Sequence, residues 1–275
     1  MNQQNGKIIS EYLLNLEGRF FMGLWTFAHF YNIIPAFIIY SLIAVVIRKK
    51  LSFKDERFKY RVFKVLSITL LILEAIKQIT TAVGGYDLYS LPFHYCSIFL
   101  YVLPLHAFYR GKHKKAVDAI TVSCCAALFL FMLVMPAVVY PDSAVTGFFD
   151  DYTSMHTVIF HHLVSIYFLL MMAFDVCQFE PKYDLKVIAV FLSLFMTVAI
   201  ILSFSLETNF QNLYRCNLAP VEEIRLAMVA SIGWLGHAIY VAVLFVLTIL
   251  FTYAAYFLCR AVLRLAEKFS VEKNR

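Results

Sequence analysis

Charged residues are scarce in this chain. Of its 275 residues, 15% are charged and 61% are hydrophobic, whereas soluble domains carry about a quarter charged residues. This composition excludes an ordinary soluble domain and predicts an integral membrane protein. The net charge of +6 does not indicate nucleic-acid binding, because the basic residues cluster in a few alternating loops, as the orientation signals of membrane proteins do.

The spacings typical of metal and disulfide sites are also missing. The six cysteines do not form a disulfide framework, since Cys96, Cys124 and Cys125 lie in apolar segments and Cys216 lies alone in a polar one. No HxxxH, HExxH or CxxC spacing occurs. A metal site assembled from separate helices stays an alternative with a weak signal, and we predict neither a metal nor a cofactor.

Seven apolar runs are long enough to cross a hydrocarbon core of ~30 Å, which takes roughly 17–25 residues. They cover residues 24–47, 62–83, 91–109, 116–140, 156–176, 185–206 and 233–259. The sequence therefore predicts an all-α fold, with a single transmembrane domain over residues 1–275. It would be a polytopic membrane protein of the cell membrane, a bundle of seven transmembrane helices.

The basic residues predict the orientation of this bundle. Eight lie from Arg48 to Lys64, between the first run and the start of the second, four lie in the loop RGKHKK, and five lie after the seventh run, but none lies in GGYDLYS or PDSAVTGFFDDYTSM. By the positive-inside rule the N-terminus is outside and the C-terminus is cytoplasmic. Residues 219–229, with Pro220 near their start, are predicted to form a short helix in the membrane interface.

Several histidines and one cysteine share a predicted depth, roughly 5–9 Å below the outer boundary at about 1.5 Å per residue. The odd-numbered runs place there His29, His94, Cys96, His161, His162 and His237, and the ends of the even-numbered runs add Glu74, Lys77 and Asn209. One such histidine alone is usually an interfacial or interhelical hydrogen-bonding residue. Because several come from separate helices, we predict a polar site that opens towards the outer leaflet.

A thiol becomes a nucleophile when a base takes its proton. On a helix, His94 and Cys96 would point about 160° apart, unless Pro92 keeps the chain extended. His161 or His162 is therefore the expected base. A nucleophile below the headgroups meets the ester carbonyls of membrane lipids, which predicts acyl transfer or ester hydrolysis.

The alternative is a small-molecule receptor or transporter that uses the same pocket for binding only. Seven spans with an outer N-terminus fit receptor topology. However, the seventh run has no lysine for a retinal Schiff base, and no discontinuous glycine-rich helix pair suggests an ion pathway.

The stretch LPFHYCSI (91–98) resembles the LPLHLC motif of the YwaF-like bacterial integral membrane proteins. Further similarities follow in the order of that family: His29 in FMGLWTFAHFY, Glu74 before a glycine-containing turn, VIFHHLVSIYFLL, and TNFQNLY. The chain departs from the family pattern at Phe93, Tyr95, His162 and Phe210.

The YwaF-like group looks distantly related to a eukaryotic membrane acyltransferase that remodels arachidonoyl ether phospholipids, and that enzyme resembles the androgen-induced-gene lipid hydrolases. The resemblance implies an intramembrane Cys–His pair that acts on acyl esters of membrane lipids. Cys96 matches the nucleophile and His161 the base, with His162 as its substitute. The residues expected to bind or orient substrate are His29, Glu74, His94, Asn209 and His237.

Overall fold

The computed structural model describes residues 19–20 and 25–273, and these are almost entirely helical. Two short strands, β1 (Arg19–Phe20) and β2 (Trp25–Thr26), pair antiparallel. The helices are α1 (Phe27–Leu51), α2 (Glu56–Val83), α3 (Phe99–Phe108), α4 (Lys114–Val134), α5 (Pro136–Val139), α6 (Asp142–Thr146), α7 (Tyr152–Ala173), α8 (Pro181–Ser205), α9 (Ala219–Ile232) and α10 (Trp234–Lys273). The predicted all-helical class is confirmed.

Five of the described helices are long and apolar enough to cross a membrane: α1, α4, α7, α8 and the Trp234–Leu265 part of α10. The chain is therefore a multi-pass membrane protein. The second predicted span lies within α2, which is not among the five, and the third coincides with a shorter apolar helix, Tyr95–Phe108. The count of seven spans and their orientation stay predictions. Residue 24, where the first predicted span begins, lies outside the described residues.

Side-chain caps and prolines determine where several helices begin and end. The side chains of Thr26, Asp55 and Asp151 accept hydrogen bonds from the first-turn N–H groups of α1, α2 and α7. The fourth predicted span reached residue 140, but α4 ends at Val134. A proline lacks an N–H group and disfavours a helical residue before it, so Pro136 begins a new short helix instead.

The third predicted span also began too early. Residues 91–94 are not α-helical, and His94 is extended, with φ −75° and ψ 160°. The helical segment begins as a 3₁₀ turn, Tyr95–Ile98, and continues as α3. Pro92 lies in this non-helical stretch, as expected for a residue that cannot donate a backbone hydrogen bond. The segment predicted at 219–229 does form a helix, α9.

The chain divides into two compact units. Unit 1 consists of Met1–Phe53 and Leu128–Asp175, and unit 2 consists of Lys54–Ala127 and Val176–Arg275. In unit 1, α1 packs on α7, with a core that includes Ile33, Phe37 and Met132. In unit 2, α2 packs on α3, while α10 packs on both α8 and α9. The single-domain organisation stays a prediction.

Candidate functional site

The predicted site residues belong to two clusters, one in each unit. His29, His161 and His162 lie in unit 1, whereas unit 2 contains Cys96 with Glu74, His94, Asn209 and His237. Each cluster is described by itself. The predicted pairing of Cys96 with a histidine of unit 1 stays a prediction.

His29 ties the start of α1 to the segment after α5. Its Nε2 lies 3.0 Å from the backbone oxygen of Tyr140, and its Nδ1 lies 3.0 Å from the hydroxyl of Thr26. A carbonyl oxygen can only accept, so Nε2 carries the proton and Nδ1 accepts from the hydroxyl. Both ring nitrogens are occupied, and the contacts of His29 in this structure are those of an interhelical hydrogen-bonding residue.

His162 is held in the same way by two other side chains. Its Nε2 lies 2.7 Å from Oδ1 of Asn32, and its Nδ1 lies 3.3 Å from the hydroxyl of Tyr40. The hydroxyl of Tyr140 donates to the same Asn32 oxygen at 2.9 Å. Asn32 therefore accepts two hydrogen bonds from different parts of unit 1, and both nitrogens of His162 are paired.

His161 differs from its neighbour in its hydrogen bonding. Its Nδ1 lies 2.6 Å from the backbone oxygen of Thr157, one turn earlier on α7. Nδ1 must donate this bond, so the lone pair of the neutral ring is on Nε2. A backbone carbonyl that fixes the tautomer and orients the ring is the arrangement a catalytic base needs. The sequence left His161 and His162 open as the expected base, and the choice between them stays a prediction.

Cys96 lies in the 3₁₀ turn at the start of the Tyr95–Phe108 segment and is half-buried. By contrast, Cys124 and Cys125 are completely buried. Because His94 is extended, the helical geometry that separated it from Cys96 does not apply. The side chains of Lys77 and Glu74 are close enough to Cys96 to interact with it electrostatically.

Glu74 and its partners connect the end of α2 to the loop that leads to Cys96. Glu74 forms an ion pair with Lys77, with Nζ 3.0 Å from Oε1. Gln78 donates to Glu74 at 2.6 Å and to the backbone oxygen of Ser90 at 2.8 Å, and the hydroxyl of Tyr86 donates to Gln78 at 2.6 Å. Such pairing is expected for charged groups near hydrocarbon, where an unpaired charge is costly.

His94 is fixed by a local carbonyl and by aromatic rings. Its Nε2 donates to the backbone oxygen of Tyr89 at 2.9 Å, which puts the lone pair of the neutral ring on Nδ1. The ring centroid lies 4.4 Å from that of Tyr89 and 5.4 Å from that of Phe210. In His94, as in His161, one ring nitrogen donates to a backbone carbonyl and the other carries the lone pair of the neutral ring.

A loop after α8 supports this turn, and sequence reasoning missed its role. The side chain of Gln211 donates to the backbone oxygen of Phe93 at 3.1 Å, and Phe210 is fully buried beside His94. Gln211 and Asn212 have φ of 51° and 60°, a left-handed conformation that costs residues other than glycine about 1–3 kcal/mol. The resemblance of TNFQNLY to a family segment was the only signal for this loop.

Asn209 and His237 both form hydrogen bonds that hold the loop after α8. Asn209 Oδ1 accepts from the backbone N–H groups of Tyr214 and Arg215 at 3.2 and 3.0 Å. His237 Nε2 donates to the backbone oxygen of Leu213 at 3.1 Å, and Arg225 donates to its Nδ1 at 3.1 Å.

Glu222 completes the attachment of the loop to α9. It forms a bidentate ion pair with Arg225 and accepts from the N–H of Cys216 at 2.7 Å. The hydrogen bonds from Arg225 lower the pKa of Glu222 from its usual 4.5 to about 2. Among the residues that the structure describes, no group of three His, Cys, Asp or Glu side chains is placed to hold a metal ion.

Comparison with known proteins identifies the family of this chain. No curated protein and no solved structure matches it. The TMEM164 family matches residues 24–256, a range that includes both clusters described above. The resemblance to the YwaF-like group and its LPxHxC motif stays a prediction. Since the match covers most of the sequence, this multi-pass membrane protein belongs to the TMEM164 family.

Proposed function

We propose that the chain is a lipid acyltransferase or acyl-ester hydrolase of the membrane, with Cys96 as its nucleophile. The observation that carries the proposal is the position of Cys96. It is a half-buried thiol at the first turn of an apolar helix; Glu74 and Lys77 interact with it electrostatically, and His94 immediately precedes that turn. Polar and charged groups are expensive in a membrane, so their concentration beside one thiol supports a functional site.

The proposed reaction has two steps. A histidine takes the thiol proton while the sulfur of Cys96 attacks an acyl-ester carbonyl of a membrane lipid. The ester C–O bond breaks, the lysolipid oxygen receives the proton, and the acyl group stays on the sulfur as a thioester. Water or the hydroxyl of a second lipid then attacks the thioester, gives its proton to the histidine, and the thiol is restored.

Two histidines are candidates for the base. His161 is the base that the family resemblance implies, and its Nδ1–H bond to Thr157 leaves the lone pair on Nε2. His94 precedes Cys96 by two residues, and its Nε2–H bond to Tyr89 leaves the lone pair on Nδ1. His162 has both nitrogens paired, so we expect its replacement to have a smaller effect on turnover.

The central test is acyl transfer to the protein from a phosphatidylcholine that carries an alkyne-terminated acyl chain. We expect a label that neutral hydroxylamine removes, as it does a thioester, and a mapped site at Cys96. Cys177→Ser is the matched control, since Cys177 is also half-buried, and this variant should keep its label. A folded wild-type protein without label or ester turnover would refute the proposal.

Replacement of the histidines separates the candidate bases. Either His161→Ala or His94→Ala should lower the rate of acylation at least about 100-fold, as the loss of a general base typically does. If neither variant slows acylation while Cys96→Ala abolishes it, the assignment of the base is wrong. A receptor or transporter would instead bind its ligand equally well after Cys96→Ala.

A further inference from the structure

Unit 2 contains a second polar feature, a cavity of about 460 Å³ at the start of α2. Its lining consists of Glu56, Arg57, Tyr60, Arg61, Lys64 and Arg110, none of which belongs to the cluster around Cys96. Four cationic side chains therefore face one carboxylate. A cavity of this size falls in the range of small-molecule sites, about 300–1,000 Å³. The excess of positive charge in its lining favours an anionic ligand.

The cations are aligned on one face of α2. Arg57, Arg61 and Lys64 follow one another at intervals of four and three residues, which places them in one row on a helix. An orientation signal requires only enough basic residues in the loop and does not require them in a row. Within the described part of the chain, neither Arg57 nor Arg61 forms an ion pair, so both are available to a ligand.

Arg110 is already fixed in the fourth cationic position. Its guanidinium donates to the backbone oxygens of His106, Ala107 and Tyr109 at 3.3, 2.9 and 2.7 Å, and it lies 3.6 Å from the ring centre of Tyr60. These bonds use three of its five N–H groups. A cation that is held before the ligand arrives loses little conformational entropy on binding.

Exposed apolar surface continues from this cavity along both helices. Lys64 Nζ lies 5.3 Å from the ring centre of Phe108, which joins α2 to α3 at the cavity. Beyond it, Val65 and Ile68 on α2 and Leu105 on α3 are each about half exposed. A ligand that fits both surfaces carries an anionic head and an apolar tail.

We propose that this cavity binds the phosphate-bearing headgroup of an anionic phospholipid. Arg57 and Arg61 contact the phosphate oxygens, since guanidinium groups match phosphate geometry in a way that lysine does not. The acyl chains lie against the apolar surface of α2 and α3. The sequence predicts a cytoplasmic position for both basic segments, and anionic lipids concentrate in that leaflet.

The test measures lipid binding to the full detergent-solubilised chain by native mass spectrometry. The probe is dioctanoyl phosphatidic acid, and dioctanoyl phosphatidylcholine and inorganic phosphate are the comparators. We expect Arg57→Gln with Arg61→Gln to weaken phosphatidic acid binding about tenfold or more, as the loss of charge-assisted hydrogen bonds does. Lys49→Gln with Lys50→Gln is the matched control, because it removes the same charge from exposed positions outside the cavity and should change binding less than about twofold.

Each other outcome counts against the proposal. Equal weakening by the two double variants would mean diffuse attraction without a site, and equal binding of phosphatidylcholine would mean that the phosphate charge is not recognised. If inorganic phosphate displaces phosphatidic acid when the two are present at equal concentration, the cavity binds a soluble anion, and the proposal of a lipid ligand is wrong. Should the glutamine variant fail to fold, Arg57→Lys with Arg61→Lys keeps the charge, and unchanged affinity in that variant would overturn the role of the guanidinium groups.

Discussion

Asn32 is the acceptor that joins two donors within unit 1, and its replacement tests the hydrogen-bond network around the histidines. Its Oδ1 accepts from the hydroxyl of Tyr140 at 2.9 Å and from Nε2 of His162 at 2.7 Å. Asn32→Ala leaves both donors without this acceptor. Interhelical hydrogen bonds in membrane proteins average about 0.6 kcal/mol and reach about 1.7 kcal/mol, so two of them predict a loss of about 1–3 kcal/mol in the free energy of unfolding.

A double-mutant cycle isolates one of these bonds. Tyr140→Phe removes only the hydroxyl, and in the wild-type background we expect it to cost about 1 kcal/mol of unfolding free energy. In the Asn32→Ala background the same change should cost almost nothing, because the hydroxyl has already lost its acceptor. Unfolding in mixed detergent, followed by circular dichroism, measures all four proteins.

The outcome that would refute this reasoning is additivity. If Tyr140→Phe costs the same with and without Asn32, within about 0.3 kcal/mol, the two side chains are not coupled. Tyr31→Phe is the matched control, since Tyr31 lies on the same helix and is 72% exposed. Its hydroxyl should contribute less than about 0.5 kcal/mol.

Three further predictions concern unit 2. Gln211→Ala removes the bond to the Phe93 carbonyl and should speed amide exchange of residues 94–98 about fivefold, as the loss of ~1 kcal/mol does. Glu222→Gln should lower the melting temperature at pH 7. Because the pKa of Glu222 is lowered from 4.5 to about 2, its contribution is complete above pH 5 and fades as the pH falls towards 2. Maleimide should modify Cys96 before it modifies the buried thiols of Cys124, Cys125 and Cys259.

Matched variants control these measurements. Gln178→Ala changes a loop glutamine elsewhere in unit 2 and should leave the exchange of residues 94–98 unchanged. Glu223→Gln changes the exposed neighbour of Glu222 and should lower the melting temperature at pH 7 less than Glu222→Gln does. The first prediction is wrong if Gln211→Ala leaves the amide exchange of residues 94–98 unchanged. The second is wrong if Glu222→Gln lowers the melting temperature as much at pH 3 as at pH 7, and the third is wrong if maleimide modifies a buried thiol before Cys96.

Long apolar runs made most of the helices predictable from the sequence. The predicted starts at residues 156, 185 and 233 lie within about four residues of α7, α8 and α10. Errors of boundary occurred at prolines, where hydropathy continues although the helix does not. Pro136 ends α4 early, and the stretch around Pro92 is not α-helical. Hydropathy cannot detect either break, because proline interrupts backbone hydrogen bonds without a change in the apolar character of its neighbours.

The candidate site was predictable only as a set of chemical groups. Polar residues in apolar runs directed attention to His161, His162 and Cys96, but the sequence could not assign ring tautomers. Those depend on where the folded backbone and side chains place the partner atoms, which lie one turn away for His161 and far away in the chain, at Asn32, for His162. Gln211 was missed for a similar reason, since a left-handed residue other than glycine carries no recognisable sequence signal.

The discontinuity of unit 1 has a consequence for the way the protein is made. Its first segment ends at Phe53, and the ribosome must then synthesise residues 54–127, which belong to unit 2, before the second segment begins at Leu128. Asn32 therefore enters the membrane long before Tyr140 and His162 exist to bond with it. During that interval the polar side chains of α1 depend on the insertion machinery, a chaperone or water. Mutations that make α1 less hydrophobic should therefore reduce the yield of inserted protein more than they reduce the stability of the finished one.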